Sequence, residues 1–308
     1  MSFSEPLLTN QAEVEQSTGL SREVLRKWEL RFGFPLPQRG GRGQRVYSEG
    51  DVGKLQLISQ LMARGMRPGQ LVQLSIPDLH NLLRDSVMST AELEPAVQEL
   101  LACLAPGAAS GAIETYLGGV IEKVGLRQFI YSELPRFNSA IGGLWAGGHL
   151  GISAEHRYTE TVRTLVNVAL VGLPVSREKN RVLVTTPPGE LHVLAILALR
   201  AALVLQGADC ISLGPQTPAP DVVQAVKDWD VEVVAISISA FFNADKALTY
   251  VAVLRRLLPP HCRLWLGGEG GHLLAGKVGP QVEFFDSVNA ATQAWCRLAG
   301  VSVDYGDD

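Results

Sequence analysis

Residues able to bind a small ligand follow the apolar segments in the last third of the chain. The runs RVLVTT (181–186), VEVVAISIS (231–239) and RLWLGG (263–268) read as buried strands. They end in, or are followed by, carboxylate, imidazole, hydroxyl and glycine residues, namely Glu190, His192, Ser237, Ser239, Gly267 and Gly268. Ligands of parallel α/β sheets bind outside the carboxyl ends of the strands. The sequence therefore predicts a ligand site from these residues, although His192 alone could be an ordinary residue at a helix start.

A second group of candidates is a basic stripe near the N-terminus. Residues 22–47 carry seven cations against the two carboxylates Glu23 and Glu29, a local net charge of +5 in a chain whose formal net charge is −4. The cations are Arg22, Arg26, Lys27, Arg31, Arg39, Arg42 and Arg45. Such a stripe on an acidic protein indicates contact with a polyanion, with a solvated helical face as the alternative.

The elements around the basic stripe favour DNA as that polyanion. Residues 9–18 predict a short helix capped by Thr9 or Asn10, and after Gly19 a second helix begins beyond the capping residue Ser21. This is a helix-turn-helix pattern, whose second helix enters the major groove. The Pro- and Gly-rich segment 33–52 predicts two short extended pieces that form a basic wing. Two amphipathic helices broken at Gly65 and Pro68 are expected over 51–75.

The middle of the chain, from Thr90 to about Leu173, has apolar residues at three- and four-residue spacing and no strand alternation. It predicts a four-helix bundle. Within it, Trp145 is followed after nine residues by Glu155 and His156. Alone, the Trp could belong to the core, and the Glu-His pair could be a solvated helix start.

Alternating strands and helices after residue 180 predict a Rossmann-like, doubly wound parallel sheet. Neither G-x-G-x-x-G after its first strand nor a P-loop lysine motif is present, which disfavours a nucleotide cofactor. The 308 residues are 46% hydrophobic, which excludes a disordered chain. Cysteines without a CxxC pair, no signal-like N-terminus and no apolar run of transmembrane length predict a cytoplasmic protein.

The segments LRKWELRFGFPLPQR and GQRVYSEGDV resemble the DNA-binding domain of MerR-family regulators over about 70 residues. The resemblance implies that Arg22 and Arg26 face DNA, that Trp28 packs between helix and wing, and that Arg31 lies near phosphate. It assigns the wing contacts to Arg39, Arg42, Arg45 and Tyr47. Gln44 departs from the family, where an aromatic residue or His is common.

The pattern E-L-H-V-L-A, followed by S-I-S and then G-G, resembles cobalamin-binding domains. The resemblance implies that His192 is an axial cobalt ligand whose ring is oriented by Glu190. It also implies that Ser237, Ser239, Gly267 and Gly268 bind the cofactor, the glycines admitting its nucleotide tail. Ala195 replaces the usual Gly, and its methyl group would narrow the channel for that tail.

Together the three segments resemble the light-sensing, adenosylcobalamin-dependent regulators of the CarH/LitR type. In that family Trp145 would pack against the adenosyl group, Glu155 and His156 would line the same pocket, and dark tetramers would repress genes until light dissociates them. The resemblance also implies a histidine directly after the Trp that binds cobalt once light has removed the adenosyl group. That position is Ala146 here, and His149 is the nearest replacement.

The expected domains are 1–78 (MerR-like winged helix-turn-helix), 90–176 (helical bundle) and 180–303 (Rossmann-like, cobalamin-binding). A regulator of the same architecture that lacks cobalamin or senses another ligand is the alternative. A cobalamin-dependent enzyme or methyl carrier is a third hypothesis, which the helix-turn-helix and the lack of a catalytic barrel disfavour. An absorbance spectrum of the protein mixed with adenosylcobalamin separates the cobalamin-dependent regulator from this alternative regulator.

Overall fold

The computed structural model describes residues 8–41, 43–63, 66–85, 93–146, 149–176, 180–240, 242–279 and 281–302. The chain divides into two compact units. The first comprises residues 1–98 and 140–155, and the second comprises residues 99–139 and 156–308. No helix within the described ranges is long and apolar enough to cross a membrane.

The first unit contains a winged helix-turn-helix. Its elements are β1 (Leu8–Asn10), α1 (Gln11–Thr18), α2 (Arg22–Phe32), β2 (Gln38–Arg39), β3 (Arg45–Ser48), α3 (Glu49–Ala63), α4 (Pro68–Leu71) and α5 (Ile76–Asp85). The strands form an antiparallel sheet in the order β1-β3-β2. The two helices and the two wing strands predicted from the sequence are confirmed, whereas β1 and α5 were not predicted.

Local capping explains why these helices begin and end where they do. Asn10, one of the two predicted caps, forms a capping box with Glu13, and the Ser21 hydroxyl accepts a hydrogen bond from the Val24 amide. Gly19 ends α1 in the left-handed region (φ +68°), which makes the sharp turn into α2 possible. The predicted break at Pro68 is confirmed, because α4 begins there, while Gly65 lies outside the described residues.

The helical segment consists of α6 (Pro95–Leu104), α7 (Ala112–Gln128), a π-helical stretch (Phe129–Glu133), α8 (Leu134–Ala146) and α9 (Ile152–Leu170). Gly125 interrupts α7 with φ +79° and ψ 154°, so the chain kinks there. The predicted helical character is confirmed, but the segment is shared between the two units. Residues 140–155 group with the helix-turn-helix, and the remainder groups with the sheet domain.

The second unit is built around a five-stranded parallel sheet. Its strands are β4 (Val182–Thr185), β5 (Cys210–Gly214), β6 (Val233–Ser237), β7 (Arg263–Gly267) and β8 (Val282–Phe285), in the order β5-β4-β6-β7-β8. The helices are α10 (Leu194–Leu205), α11 (Ala219–Trp229), α12 (Ala244–Leu257), α13 (Glu269–His272) and α14 (Val288–Ala299). The predicted doubly wound parallel sheet is confirmed. β8, α14 and the short α13 were not predicted from the sequence.

Backbone approaches backbone where β6 and β7 end. A Cβ atom on Gly270 would lie 2.1 Å from the Ser239 carbonyl oxygen, and one on Gly268 would lie 2.3 Å from the Ile238 carbonyl oxygen. Gly268 also has φ +81°, a conformation that L-residues rarely adopt. Gly268 and Gly270 thus let the turn after β7 pack directly against the turn after β6. This structural role was not predicted from the sequence.

Gly270→Ala is expected to destabilise the second unit by about 2–3 kcal/mol, because the added methyl group forces two rigid turns apart. Gly271→Ala is the matched control, since its Cβ would meet Leu266 at an ordinary 3.6 Å. Urea denaturation of the two variants measures the difference. Equal midpoints would show that the turns adjust without cost.

Candidate functional site

The order of the strands creates a crevice at the carboxyl edge of the sheet. β4 lies between β5 and β6 in the sheet. The chain therefore adds β5 on one side of β4 and then crosses over to add β6 on the other side. In doubly wound sheets, ligands bind at this reversal of strand order. The segment between β4 and α10 carries Glu190 and His192, and Ser239 follows β6. The structure therefore brings together at one edge residues that are 49 positions apart in sequence.

A tight turn projects Glu190 toward His192. The Glu190 amide donates to the Pro187 carbonyl oxygen at 3.0 Å, which closes a four-residue turn. Pro188 occupies the second position of that turn, and Gly189 occupies the third with φ +89°. These are the residues that a type II turn requires. The local sequence P-P-G-E thus determines where the carboxylate emerges.

The Glu190 carboxylate is buried and accepts four hydrogen bonds. Oε1 accepts from the His192 Nδ1 at 2.5 Å and from the His192 amide at 3.1 Å. Oε2 accepts from the Ser239 amide at 2.9 Å and from the Ser239 hydroxyl at 2.7 Å. Burial by itself raises the pKa of Glu190, but the hydrogen bonds from His192 and Ser239 outweigh it and lower the pKa to about 2. The carboxylate is therefore ionised at neutral pH.

An ionised Glu190 determines which nitrogen of His192 carries the proton. A carboxylate can only accept hydrogen bonds, so Nδ1 donates, and in the neutral ring Nε2 keeps its lone pair. The His192 side chain is 57% exposed, whereas that of Glu190 is 2% exposed. A neutral imidazole backed by a carboxylate is the arrangement typical of a metal-binding histidine. The geometry of His192 is therefore compatible with the predicted role of a cobalt ligand.

An apolar cavity of about 210 Å³ lies beside this site, at the carboxyl ends of β6, β7 and β8. Ser237, Gly267 and Gly268 line it, as does Ala195, so the cavity exists despite the methyl group. The Ser239 hydroxyl donates to Glu190, a hydrogen bond that was not predicted from the sequence.

Part of the cavity wall was not predicted from the sequence. Phe285, Asp286, Ser287 and Val288, from the end of β8 and the start of α14, line the same cavity. Two signals could have found them. The apolar run V-E-F-F is strand-like, and Ser287 caps α14 by accepting from the Ala290 amide.

The predicted upper-pocket residues lie where α8 passes into α9. Trp145 is half-buried near the end of α8, and Glu155 and His156 lie in the first two turns of α9. In the first unit, the His149 Nε2 lies 3.0 Å from the Leu83 carbonyl oxygen at the end of α5. The structure thus gives His149, the predicted replacement for the family's histidine, a partner in the helix-turn-helix domain.

The candidate DNA-binding residues divide into exposed and packed groups. Arg22 and Arg26 are exposed on α2, one helical turn apart, and Arg39 is exposed on the wing. Arg31 is exposed with its guanidinium 5.2 Å from the Phe32 ring centre. Arg42 lies outside the described residues.

Two of the predicted wing contacts pack against other parts of the first unit. Tyr47 is 1% exposed and packs in the core with Leu25 and Trp28, so its side chain does not present itself to DNA. Arg45 is half-buried and forms an ion pair with Glu29 at 3.1 Å, which joins the wing to α2. Trp28 is buried in the same core cluster as Tyr47 of the wing.

Two segments of the chain match known protein families. Residues 11–74 match the MerR HTH family regulatory protein, and residues 180–278 match the B12 binding domain. The chain is 25% identical over 256 residues to the HTH-type transcriptional repressor CarH of Myxococcus xanthus, covering 81% of this chain and 85% of CarH. It is 25% identical over 254 residues to the repressor CarA of the same organism, with 80% of each chain covered.

Among solved structures, the monomethylamine corrinoid protein of Methanosarcina barkeri aligns with a TM-score of 0.49 and 13% identity. The alignment covers 71% of this chain and 98% of that protein. A cobalamin-binding protein of Desulfitobacterium hafniense aligns with a TM-score of 0.36 and 17% identity, covering 69% of this chain and 99% of that protein.

Glu190→Gln is expected to change how stability depends on acid. Because the pKa of Glu190 is lowered from 4.5 to about 2, its charged form stabilises the folded state above about pH 4.5, and this contribution disappears as the pH falls toward about 2. Melting temperatures of parent and variant should therefore differ most near neutral pH and converge in acid. A difference that stays constant from neutral pH down to about pH 2 would contradict this account.

Proposed function

We propose that this chain, a CarH-type regulator that joins a MerR helix-turn-helix to a B12-binding domain, is a cytoplasmic, light-responsive repressor that uses adenosylcobalamin. It is a transcription regulator and not an enzyme. The observation that carries the cofactor assignment is the Glu190–His192 pair, which directs an imidazole lone pair outward from a buried, ionised carboxylate.

The residues of the B12-binding domain have a defined part in holding the cofactor. His192 would supply the axial nitrogen to cobalt through Nε2, with Glu190 and Ser239 holding its ring. A histidine in that position would take the place of the cofactor's own base. The apolar cavity of about 210 Å³, bordered by Ala195 and Ser237, offers a place for the displaced tail.

The switch depends on residues that touch the adenosyl group. When bound, adenosylcobalamin supplies a cobalt–carbon bond that light breaks. Trp145, Glu155 and His156 would pack against the adenosyl group in the dark and lose that contact after illumination. A ligand shifts an equilibrium only through contacts that differ between the two states, and these contacts provide that difference.

Oligomerisation would make the dark state the DNA-binding state. A single winged helix-turn-helix offers few cations to the phosphate backbone. Joining several copies in a tetramer raises their effective concentration on one operator, and dissociation removes that gain. The DNA contacts would come from Arg22 and Arg26 on α2 and from Arg31 and Arg39 nearby.

A regulator that does not use cobalamin is the second candidate. Ala146 replaces the family's histidine after Trp145, and the nearest histidine, His149, lies against the Leu83 carbonyl oxygen. On this candidate, the α8–α9 turn would serve the helix-turn-helix domain and not a cofactor.

Arg26→Ala is expected to weaken operator binding about ten- to hundredfold, because the guanidinium lies on the exposed face of the recognition helix. Arg256→Ala, which removes an exposed arginine from α12 in the other unit, is the matched control. Gel-shift titrations on the protein's own promoter compare them. Equal affinities for the two variants would remove Arg26 from the DNA interface.

The cofactor assignment is tested by mixing adenosylcobalamin with the purified protein in darkness. The parent is expected to bind it with a histidine-coordinated visible spectrum, to form an oligomer on size exclusion and to dissociate after green light. His192→Ala should bind weakly or without the axial nitrogen, whereas His261→Ala, an exposed histidine elsewhere in the domain, should match the parent.

Methylcobalamin separates binding from switching in the same experiment. It has no adenosyl group for Trp145 to contact, so it should bind through His192 without supporting the dark oligomer. A parent protein that leaves the adenosylcobalamin spectrum unchanged would reject the cofactor and favour the second candidate. A His192→Ala spectrum identical to that of the parent would reject His192 as the ligand.

A further inference from the structure

A buried hydroxyl lies directly behind the Glu190 turn. Thr186 follows β4 and is fully buried. Its Oγ1 donates to the Glu190 carbonyl oxygen at 2.7 Å and accepts from the Gln216 amide at 2.9 Å. The hydroxyl therefore joins the first and last residues of the segment 186–190 and ties both to the β5–α11 loop.

Gln216 completes the connection from the other side. Its side-chain Oε1 accepts from the Gly189 amide at 3.2 Å. Its backbone has φ +62°, an unusual conformation for a residue with a side chain. The neighbouring Thr217 amide donates to the Thr186 carbonyl oxygen at 3.0 Å. This unusual backbone conformation thus coincides with several bonds to the turn that presents Glu190.

From these contacts we infer that Thr186 and Gln216 are positioning residues that set the ring orientation and tautomer of His192 through Glu190. The inference rests on the proposed role of His192 as the axial ligand. Neither residue needs to touch the cofactor. Thr186 holds the backbone carbonyl of Glu190, Gln216 holds the preceding glycine, and together they fix the origin of the carboxylate that bonds to Nδ1.

Removing the hydroxyl should leave two backbone polar groups without this partner. Thr186→Val keeps the shape of the side chain but deprives the Glu190 carbonyl and the Gln216 amide of their hydrogen bonds. The turn can then relax toward water, and a shift of a few tenths of an ångström in Glu190 is enough to weaken a 2.5 Å bond to His192. Thr186→Ser keeps the hydroxyl and should preserve the geometry.

The test measures the His192 ring directly in the cofactor-free protein. Full-length protein labelled with ¹⁵N-histidine is studied by NMR at one mildly alkaline pH, and the His192 signals are assigned by their loss in His192→Ala. The parent and Thr186→Ser should show one tautomer, with Nδ1 protonated. Thr186→Val should show ring-nitrogen shifts that move toward each other, as in a tautomer mixture. Thr292→Val, which removes an equally buried hydroxyl from α14, is the matched control.

Adenosylcobalamin titration provides a second readout, because loss of an outer partner of a metal-binding histidine typically weakens binding about ten- to hundredfold. Thr186→Val should show that loss, and Thr186→Ser and Thr292→Val should not. If the parent binds no adenosylcobalamin, the proposed function fails, while the NMR comparison still decides the role of Thr186.

Two results overturn the inference. One is a folded Thr186→Val protein whose His192 nitrogen shifts equal those of the parent. If Thr186→Val does not fold, the exposed Gln216 decides the matter. Gln216→Asn tolerates the left-handed backbone but is too short to reach the Gly189 amide, so it should shift the His192 nitrogens in the same direction to a smaller extent. Unchanged shifts in Gln216→Asn would be the second such result.

Discussion

The hydrogen bond between the buried carboxylate of Glu190 and the ring of His192 is the interaction on which the site depends. A charged group excluded from water is tolerable only when its lone pairs are satisfied, and here the amides and side chains of His192 and Ser239 satisfy them. The same bonds orient the imidazole. The domain therefore uses one arrangement both to stabilise a buried charge and to orient an exposed imidazole ring.

Three turns must meet for that arrangement to exist. The P-P-G-E turn after β4 supplies Glu190, the turn after β6 supplies Ser239, and the glycines after β7 let the third turn approach the second without a side chain between them. The parallel sheet brings these turns to one edge because all its strands end there. The cavity beside them is closed by β8 and α14, so the site uses most of the domain.

The helices of the helix-turn-helix and the first strands of the sheet could be predicted, because their sequence signals lie within a few residues of each other. Asn10, Gly19 and Ser21 are caps that act within a few residues, and the apolar runs before Glu190 and Ser237 indicate buried strands on their own. The burial of Tyr47 and the Arg45–Glu29 pair could not be predicted in this way. Both depend on how the wing folds back onto α2. The type of a residue alone does not say whether its side chain is covered by another element. The bond from Ser239 to Glu190 likewise depends on tertiary packing across 49 residues.

Electron paramagnetic resonance of the protein loaded with cobalamin in its Co(II) form tests the central claim most directly. The unpaired electron lies along the axial direction, so an axial nitrogen splits each cobalt hyperfine line, into three for ¹⁴N and two for ¹⁵N. With ¹⁵N-histidine protein and unlabelled cofactor, we predict the two-line pattern, as expected if the His192 nitrogen coordinates cobalt. A three-line pattern unaffected by labelling, or no nitrogen splitting, would contradict the account.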